Sequence, residues 1–293
     1  MAGFEPTFDL QSHSIHSDGE LAPADVVRRA AAAGVTLLSL TDHDSVAGAA
    51  EAQTAADQCR ISHVIGVEIS TLYGDATDLH ILGYLVDPAH SGLQERLERS
   101  RNDREKRAER MIQALKDLGY AVNEASLQAR VAGGQTVGRP HLAQAVVSHP
   151  DNAARLAEEN LTDPSAFLVA YLIEGRPAYR EREAPSVAEA VELIHAAGGV
   201  AVWAHPFWDF SEDEAVLSAL DVFRGFGMDG VEAFYVTHSA AQTRLLVDRG
   251  AELGLITTGS SDFHGPAHRQ FNRFRAFKTH GLIPQLGPLA PAP

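Results

Sequence analysis

The stretch Phe8-Asp-Leu-Gln-Ser-His-Ser-Ile-His-Ser-Asp-Gly19 opens as a short strand, Phe8–Leu10, and breaks at once into small polar residues carrying His13 and Asp18. The segment Leu21 to Gly34 follows, with Pro23 near its start and Gly34 at its end, the usual asymmetry of a helix. Val35–Leu40 is again strand-like, and it runs into Thr41-Asp-His-Asp44. The order is therefore strand, polar end, helix, strand, polar end. A histidine at the C-terminal end of a barrel strand is a candidate for chemistry in a way that an average surface histidine is not.

The same order continues outward. Ser45 to Ala56 is an alanine-rich helix, His63–Ile69 a third strand carrying Glu68, and His80–Val86 a fourth that opens on His80. Beyond a long gap, Ser186–Ala197 is a helix closed by Gly198-Gly199, and Val200–Ala204 is a strand running into His205-Pro206. Asp229–Tyr235 and Leu255–Thr258 complete the set, the latter leading into Gly259-Ser-Ser-Asp262-Phe-His264. Such alternation predicts an α/β fold with a mainly parallel, closed or nearly closed barrel.

The middle is different. Ser100–Leu118 places Met111, Ile112, Leu115 and Leu118 on one helical face, and further amphipathic stretches span His141–Val147 and Pro164–Ile173. The expected organisation is a barrel from 1–92 and 180–283, a helical insertion at 93–179 after the fourth strand that caps the barrel mouth, and a Pro- and Gly-rich disordered tail at 284–293. No internal repeat is found.

The chain has 293 residues, 45% of them hydrophobic, enough for a sizeable core. Its 24 basic against 39 acidic residues give a formal charge of −15, which argues against non-specific binding to duplex DNA or an anionic membrane. A small anionic substrate then needs local cations, such as metal ions and a few arginines. Cys59 is the one cysteine, so no internal disulfide and no CxxC site can form. The first residues lack the basic and apolar regions of a signal peptide, and no apolar run reaches membrane-spanning length. A cytoplasmic protein is expected.

Eight potential ligands gather at six predicted strand ends: His13, Asp18, His43, Glu68, His80, His205, Asp262 and His264. Imidazole with carboxylate suits Zn, Mn or Fe(II) and not a thiolate site. Carboxylates brought together in this way also need cations between them.

The segments Asp9–Gly19, Thr41–Asp44, Gly66–Glu68, His80–Gly83, Ala204–Pro206 and Ser261–His264 resemble, in order, the motifs of the polymerase and histidinol phosphatase (PHP) family. The resemblance covers residues 8–90 and 185–265. It implies a distorted, TIM-like (β/α)7 barrel with two or three divalent metal ions (Mn, Fe or Zn) at its mouth. Gly138-Arg-Pro-His141 and Gly175-Arg-Pro-Ala-Tyr179 are similar to segments of the nucleotide phosphatase and 5′-exonuclease branch.

The resemblance implies His13, Glu68 and Asp262 around a first metal, and Glu68 bridging to a second with His80 and His205. It puts Asp18, His43 and His264 around a third. Where the family motif reads Asp-Leu-His-x-His, this chain has Gln11, which can ligate weakly, hold a water, or leave the first metal short of a donor. The implied substrates are nucleoside monophosphates, 3′,5′-bisphosphates and short 5′-phosphorylated oligonucleotides, hydrolysed by a metal-bridged hydroxide. Arg139 and His141 are expected to bind substrate phosphate, and His205 and His238 to be catalytic, His238 as donor to the leaving oxygen. Two alternatives stand beside this: a small-molecule phosphatase, such as one acting on histidinol phosphate, and a non-catalytic metal- and phosphate-binding module disabled at Gln11.

Overall fold

A computed structural model describes residues 6–74, 76–132, 137–181 and 183–291. The chain packs as two units, residues 1–97 with 184–293, and residues 98–183. No helix among the described residues is long and apolar enough to cross a membrane.

The first unit is built on seven strands hydrogen-bonded in chain order: β1 Phe8–Asp9, β2 Leu37–Leu40, β3 Ser62–Tyr73, β4 Ala76–Tyr84, β5 Val200–Trp203, β6 Gly230–Tyr235 and β7 Ile256–Ser260. The last strand returns to the first, where Leu10 N donates to Gly259 O at 3.2 Å and His13 N to Phe263 O at 2.8 Å. The sheet is thus a nearly closed barrel. Every residue of β6 is buried, as expected of a strand with helices on one face and the barrel core on the other. Helices α1 Pro23–Ala32 and α2 Ala49–Cys59 cover β2, burying Val26, Val27 and Ala30 from one and Ala52, Ala55 and Ala56 from the other.

Three boundaries depart from the sequence reading. The helix expected from Ser45 begins only at Ala49, because Asp44 takes a positive φ of 50° and Ser45 Oγ accepts from Ala47 N, making a turn. The fourth strand spans Ala76–Tyr84 and pairs antiparallel with both neighbours, Glu68 opposite Leu82 and Ile81 opposite Trp203. Its connection to β3 turns within a couple of residues at Gly74, φ 56°, too short for the crossover that a parallel strand needs. The tail from 284, expected to be disordered, is packed as far as the structure describes it. Gln285 exchanges hydrogen bonds with Thr257 at 2.8 and 2.9 Å, and Leu289 is buried. Residues 292–293 lie outside the described residues.

The second unit is helical in its described elements. The helix α3 Ser91–Asp117, most of which belongs to it, is followed by α4 Glu124–Ala132, α5 Arg139–Val147, α6 Ala153–Glu158 and α7 Pro164–Tyr171. These close on a core of their own around Met111, Leu115, Leu142, Val146 and Phe167. Phe167 stacks on Tyr171 at 4.8 Å and meets Tyr120 edge-on at 5.1 Å. Both tyrosine hydroxyls donate to Glu159 Oε2, at 2.6 and 2.9 Å.

The chain completes the barrel with α8 Val187–Ala196, α9 Pro206–Asp209, α10 Asp213–Gly225 and α11 Ala240–Leu253. Ser186 caps α8 reciprocally with Glu189, and Ser239 caps α11 with Gln242, which fixes where each helix starts after its loop.

Candidate metal centre

The eight expected ligands all come from the first unit, and the barrel brings them together at one end. Most follow the C-terminal ends of parallel strands. His80 does not, since it lies within β4. Because β4 runs backwards, the N-terminal half of that strand reaches the same end of the barrel. Loop geometry supplies the rest. Asp44, His205 and Asp262 have positive φ values of 50°, 29° and 51°, conformations that cost energy outside glycine and that concentrate where side chains must be aimed. At Gly19 a Cβ would lie 2.3 Å from the His13 carbonyl oxygen, so only glycine lets the loop fold Asp18 back over His13. That loop is tied from below by Asp42, which accepts from Ser14 N and Ser14 Oγ, both at 2.7 Å, and from Ser17 Oγ at 2.6 Å.

Glu68 is the centre of the arrangement. Its Oε2 lies 3.1 Å from His13 Nε2 and 3.5 Å from His43 Nδ1, while its Oε1 lies 2.8 Å from His80 Nδ1 and 3.2 Å from His205 Nε2. One carboxylate thus faces a different pair of imidazoles with each oxygen. His13 Nε2 is also 3.1 Å from Asp262 Oδ1. On the other side, Asp18 lies 3.5 Å from His264 Nε2, 3.6 Å from His13 Nδ1 and 3.7 Å from His43 Nε2. Three groups have ligand atoms close enough to share a cation: His13, Glu68 and Asp262; His43, Glu68 and His80; and His13, Asp18, His43 and His264.

The donor set fits divalent metal ions on its own evidence. His13 Nε2, Asp18 Oδ1, His43 Nδ1, His205 Nδ1 and Asp262 Oδ1 are buried with no hydrogen-bond partner. Buried polar atoms are ordinarily satisfied, and His13, Asp18, His43 and Asp262 among these belong to the groups whose ligand atoms lie close enough to share a cation. The charges agree. Burial alone would lower the His13 pKa, but the Asp262 and Glu68 carboxylates beside it raise it well above the ordinary histidine range. Burial likewise opposes ionisation of Glu68, yet His43 and His80 hold it well below the usual carboxylate range. Burial lowers His43 to about 3, more than Glu68 and Asp18 restore. Carboxylates that pull protons onto their imidazoles are carboxylates that want cations.

Several residues not singled out from sequence hold this shell in place. Tyr235 Oη donates to Asp262 Oδ2 at 2.7 Å, leaving Oδ1 to face His13. Burial, then Asp262 and Glu232, push the Tyr235 pKa well up, so it stays a donor. Glu232, fully buried inside β6, accepts from the His205 backbone N at 3.0 Å. Asp9 accepts from Ser261 N and Arg275 N, both at 2.8 Å, pinning the loop that bears Asp262 to β1. For the two carboxylates the signal was present: an acidic residue in an apolar strand, as in Gly230-Val-Glu-Ala-Phe-Tyr235.

Gln11 is fully buried, and its amide is spoken for at both ends. Nε2 donates to Glu68 Oε2 at 3.0 Å, and Oε1 lies 3.3 Å from Ser260 Oγ, which is itself 2.6 Å from Glu232 Oε1. A single hydroxyl proton cannot serve both oxygens unless Glu232 brings its own. Burial pushes Glu232 up to about 8, so at neutral pH it does. Gln11 is then a donor to the central carboxylate, with its oxygen turned away.

His238 packs beside Tyr235. Its Nδ1 donates to Ala233 O at 3.1 Å, its Nε2 is buried without a partner, and burial lowers its pKa to about 4. The ring, set 5.4 Å from Tyr235, is neutral at pH 7. Arg139 and His141 belong to the second unit, where His141 Nδ1 accepts from Gly138 N at 3.0 Å across the start of α5.

Comparison with known proteins agrees with this geometry. The PHP domain model matches residues 9–161. The chain is 34% identical over 259 residues to a 5′-3′ exoribonuclease of Haemophilus influenzae, covering 88% of this chain and 90% of the relative. It is 35% identical over 259 residues to a 3′,5′-nucleoside bisphosphate phosphatase of Chromobacterium violaceum, covering 88% and 87%. A solved structure of an amidohydrolase from Chromobacterium violaceum, with bound sulfate and no metal, superposes with a TM-score of 0.80 at 31% identity, over 92% of this chain and 90% of that one.

Proposed function

Because the chain belongs to the PHP domain family and is a metal-dependent phosphoester hydrolase, we propose that it removes phosphate from nucleotides or cleaves short 5′-phosphorylated oligonucleotides. The observation that carries this is Glu68, whose two oxygens face separate pairs of imidazoles, the arrangement of a carboxylate that bridges two cations. His13, Glu68 and Asp262 would hold one ion, and Glu68, His80 and His205, with His43 beside them, a second. Asp18, His43 and His264 would hold a third. Nitrogen and oxygen donors without a thiolate favour Mn, Fe or Zn. When bound, such ions supply positive charge for the phosphoryl oxygens and lower the pKa of water toward neutrality.

The protein's own groups do the remaining work. Asp42, Tyr235 and Glu232 keep the ligands aimed through hydrogen bonds that consume their other atoms, as outer-shell partners of metal ligands do. The expected donor to the leaving oxygen, His238, lies 5.4 Å ring to ring from Tyr235 and is neutral at rest, so it would have to take up a proton before giving one. The support for a nucleotide substrate is the naming of two relatives that align over most of this chain.

The test is phosphate release from AMP, adenosine 3′,5′-bisphosphate, a 5′-phosphorylated trinucleotide and histidinol phosphate, with Mn(II), Zn(II) or Fe(II). Release from the nucleotides is expected, lost with EDTA and reduced on the order of a thousand-fold in His205→Ala, the kinetic equivalent of several kcal/mol. Turnover of histidinol phosphate alone, or of nothing under any metal, overturns the proposal.

A further inference from the structure

The largest exposed hydrophobic side chain among the described residues stands beside the metal centre. Trp208 is 56% exposed, on α9, three residues after His205. It is not a loose surface residue. Its indole N–H donates to Thr237 Oγ1 at 2.9 Å, and its ring packs 5.8 Å from Phe271. The short helix that carries it is clamped from inside the barrel, where the fully buried Trp203 donates from Nε1 to Asp209 Oδ2 at 2.8 Å. The Trp208 ring lies 6.2 Å from that of His205 and 6.4 Å from that of Tyr235. From Phe271 the wall continues to His268 at 5.1 Å and His264 at 5.4 Å.

A large apolar face left in water costs free energy, and one held in a fixed orientation next to a reaction centre calls for a partner that covers it. We infer that Trp208 is the platform on which the nucleobase of the substrate stacks while its phosphate lies among the metal ligands. This rests on the nucleotide substrate proposed above and adds the residue that recognises it. The indole N–H, the one group that could read a base edge, is committed to Thr237, so the platform senses that a base is present and not which base it is. Because its rotamer is fixed beforehand, little ordering entropy opposes stacking.

The experiment compares AMP with ribose 5-phosphate, which carries the same phosphate ester without a base, in the metal-loaded wild type, Trp208→Ala and Trp208→Phe. The ratio of kcat/KM for AMP to that for ribose 5-phosphate is expected to fall roughly five- to a hundred-fold in Trp208→Ala, mostly through KM, the range given by removing one base–aromatic stack. Trp208→Phe should restore part of the ratio, and AMP, GMP, CMP and UMP should shift together. A second readout needs no turnover. Adenosine, which has the base but no charge, should quench tryptophan emission in the EDTA-treated protein, ribose should not, and Trp208→Phe should abolish the response, since the remaining Trp203 is buried. An equal loss on both substrates, or no change in the ratio, overturns the stacking role while leaving the hydrolase intact. Absence of nucleotide turnover by the wild type overturns the substrate assignment instead, and the quenching still decides whether Trp208 meets a base.

Discussion

Gln11 illustrates how much of a site depends on which end of one amide faces inward. A glutamine is a ligand only through its oxygen, and here the oxygen is turned toward Ser260 while the nitrogen faces Glu68. The amide supplies a hydrogen bond to the Glu68 carboxylate, and an ion between His13, Glu68 and Asp262 would be held with one donor fewer. Gln11→His replaces a donor of N–H with an imidazole lone pair. It should raise the metal content retained after dialysis, measured by elemental analysis, by up to one ion per chain. Unchanged retention would mean that the wild-type shell is already complete. The ligands themselves were legible in the sequence because each breaks an apolar strand or follows its end. The orientation of Gln11, the neutral state of His238 and the protonated Glu232 were not, because they depend on what burial removes and on partners distant in sequence.

At the scale of elements, the strands and most helices could be read from periodicity, whereas the direction of β4 could not. Residues alternate identically along a strand whichever way it runs, so only the length of the connection distinguishes the two, and the turn at Gly74 is a local signal easily taken for an ordinary loop. The tail misled for a related reason: Pro and Gly suggest a flexible segment, but edge atoms of β7 were waiting for Gln285. Helices of the second unit were partly missed because short amphipathic pieces such as α6 carry too little pattern. Their core nonetheless gives a clear prediction. Phe167, fully buried between Tyr120 and Tyr171, fills space that nothing else can. Phe167→Ala should cost about 3–5 kcal/mol of the stability of that unit, seen as an earlier calorimetric transition. Metal retention should be unaffected, since every proposed ligand lies in the other unit.

For the whole molecule, pH couples to stability through groups far from the metals. His63, at the start of β3, is largely buried with Nδ1 3.2 Å from Gln53 Oε1, and burial lowers its pKa to about 4 against a modest opposing pull from Asp57. The unfolded chain therefore binds a proton near pH 6.5 that the native chain refuses until about 4. The contribution of this neutral ring is complete above pH 6.5 and is lost as pH falls through that window. Removing the titration with His63→Gln should flatten the dependence of unfolding free energy on pH between 6.5 and 4 by up to about 1.4 kcal/mol per pH unit, measured by urea titrations. An unchanged slope would show that the ring is solvated.

The seam between β1 and β7 joins strands far apart in sequence, and the candidate ligand shell straddles it: His13 and Asp18 come from the first strand's loop, Asp262 and His264 from the last. During synthesis His13 and Asp18 must therefore wait for the strand that precedes Asp262 and His264. A nascent or prematurely terminated polypeptide that stops before Asp262 exposes stranded imidazoles and carboxylates with no complete cage. Such long-range closure is slow to form, and an ion shared by His13, Glu68 and Asp262 would have to wait for it, whereas the group of His43, Glu68 and His80 is assembled from earlier strands alone.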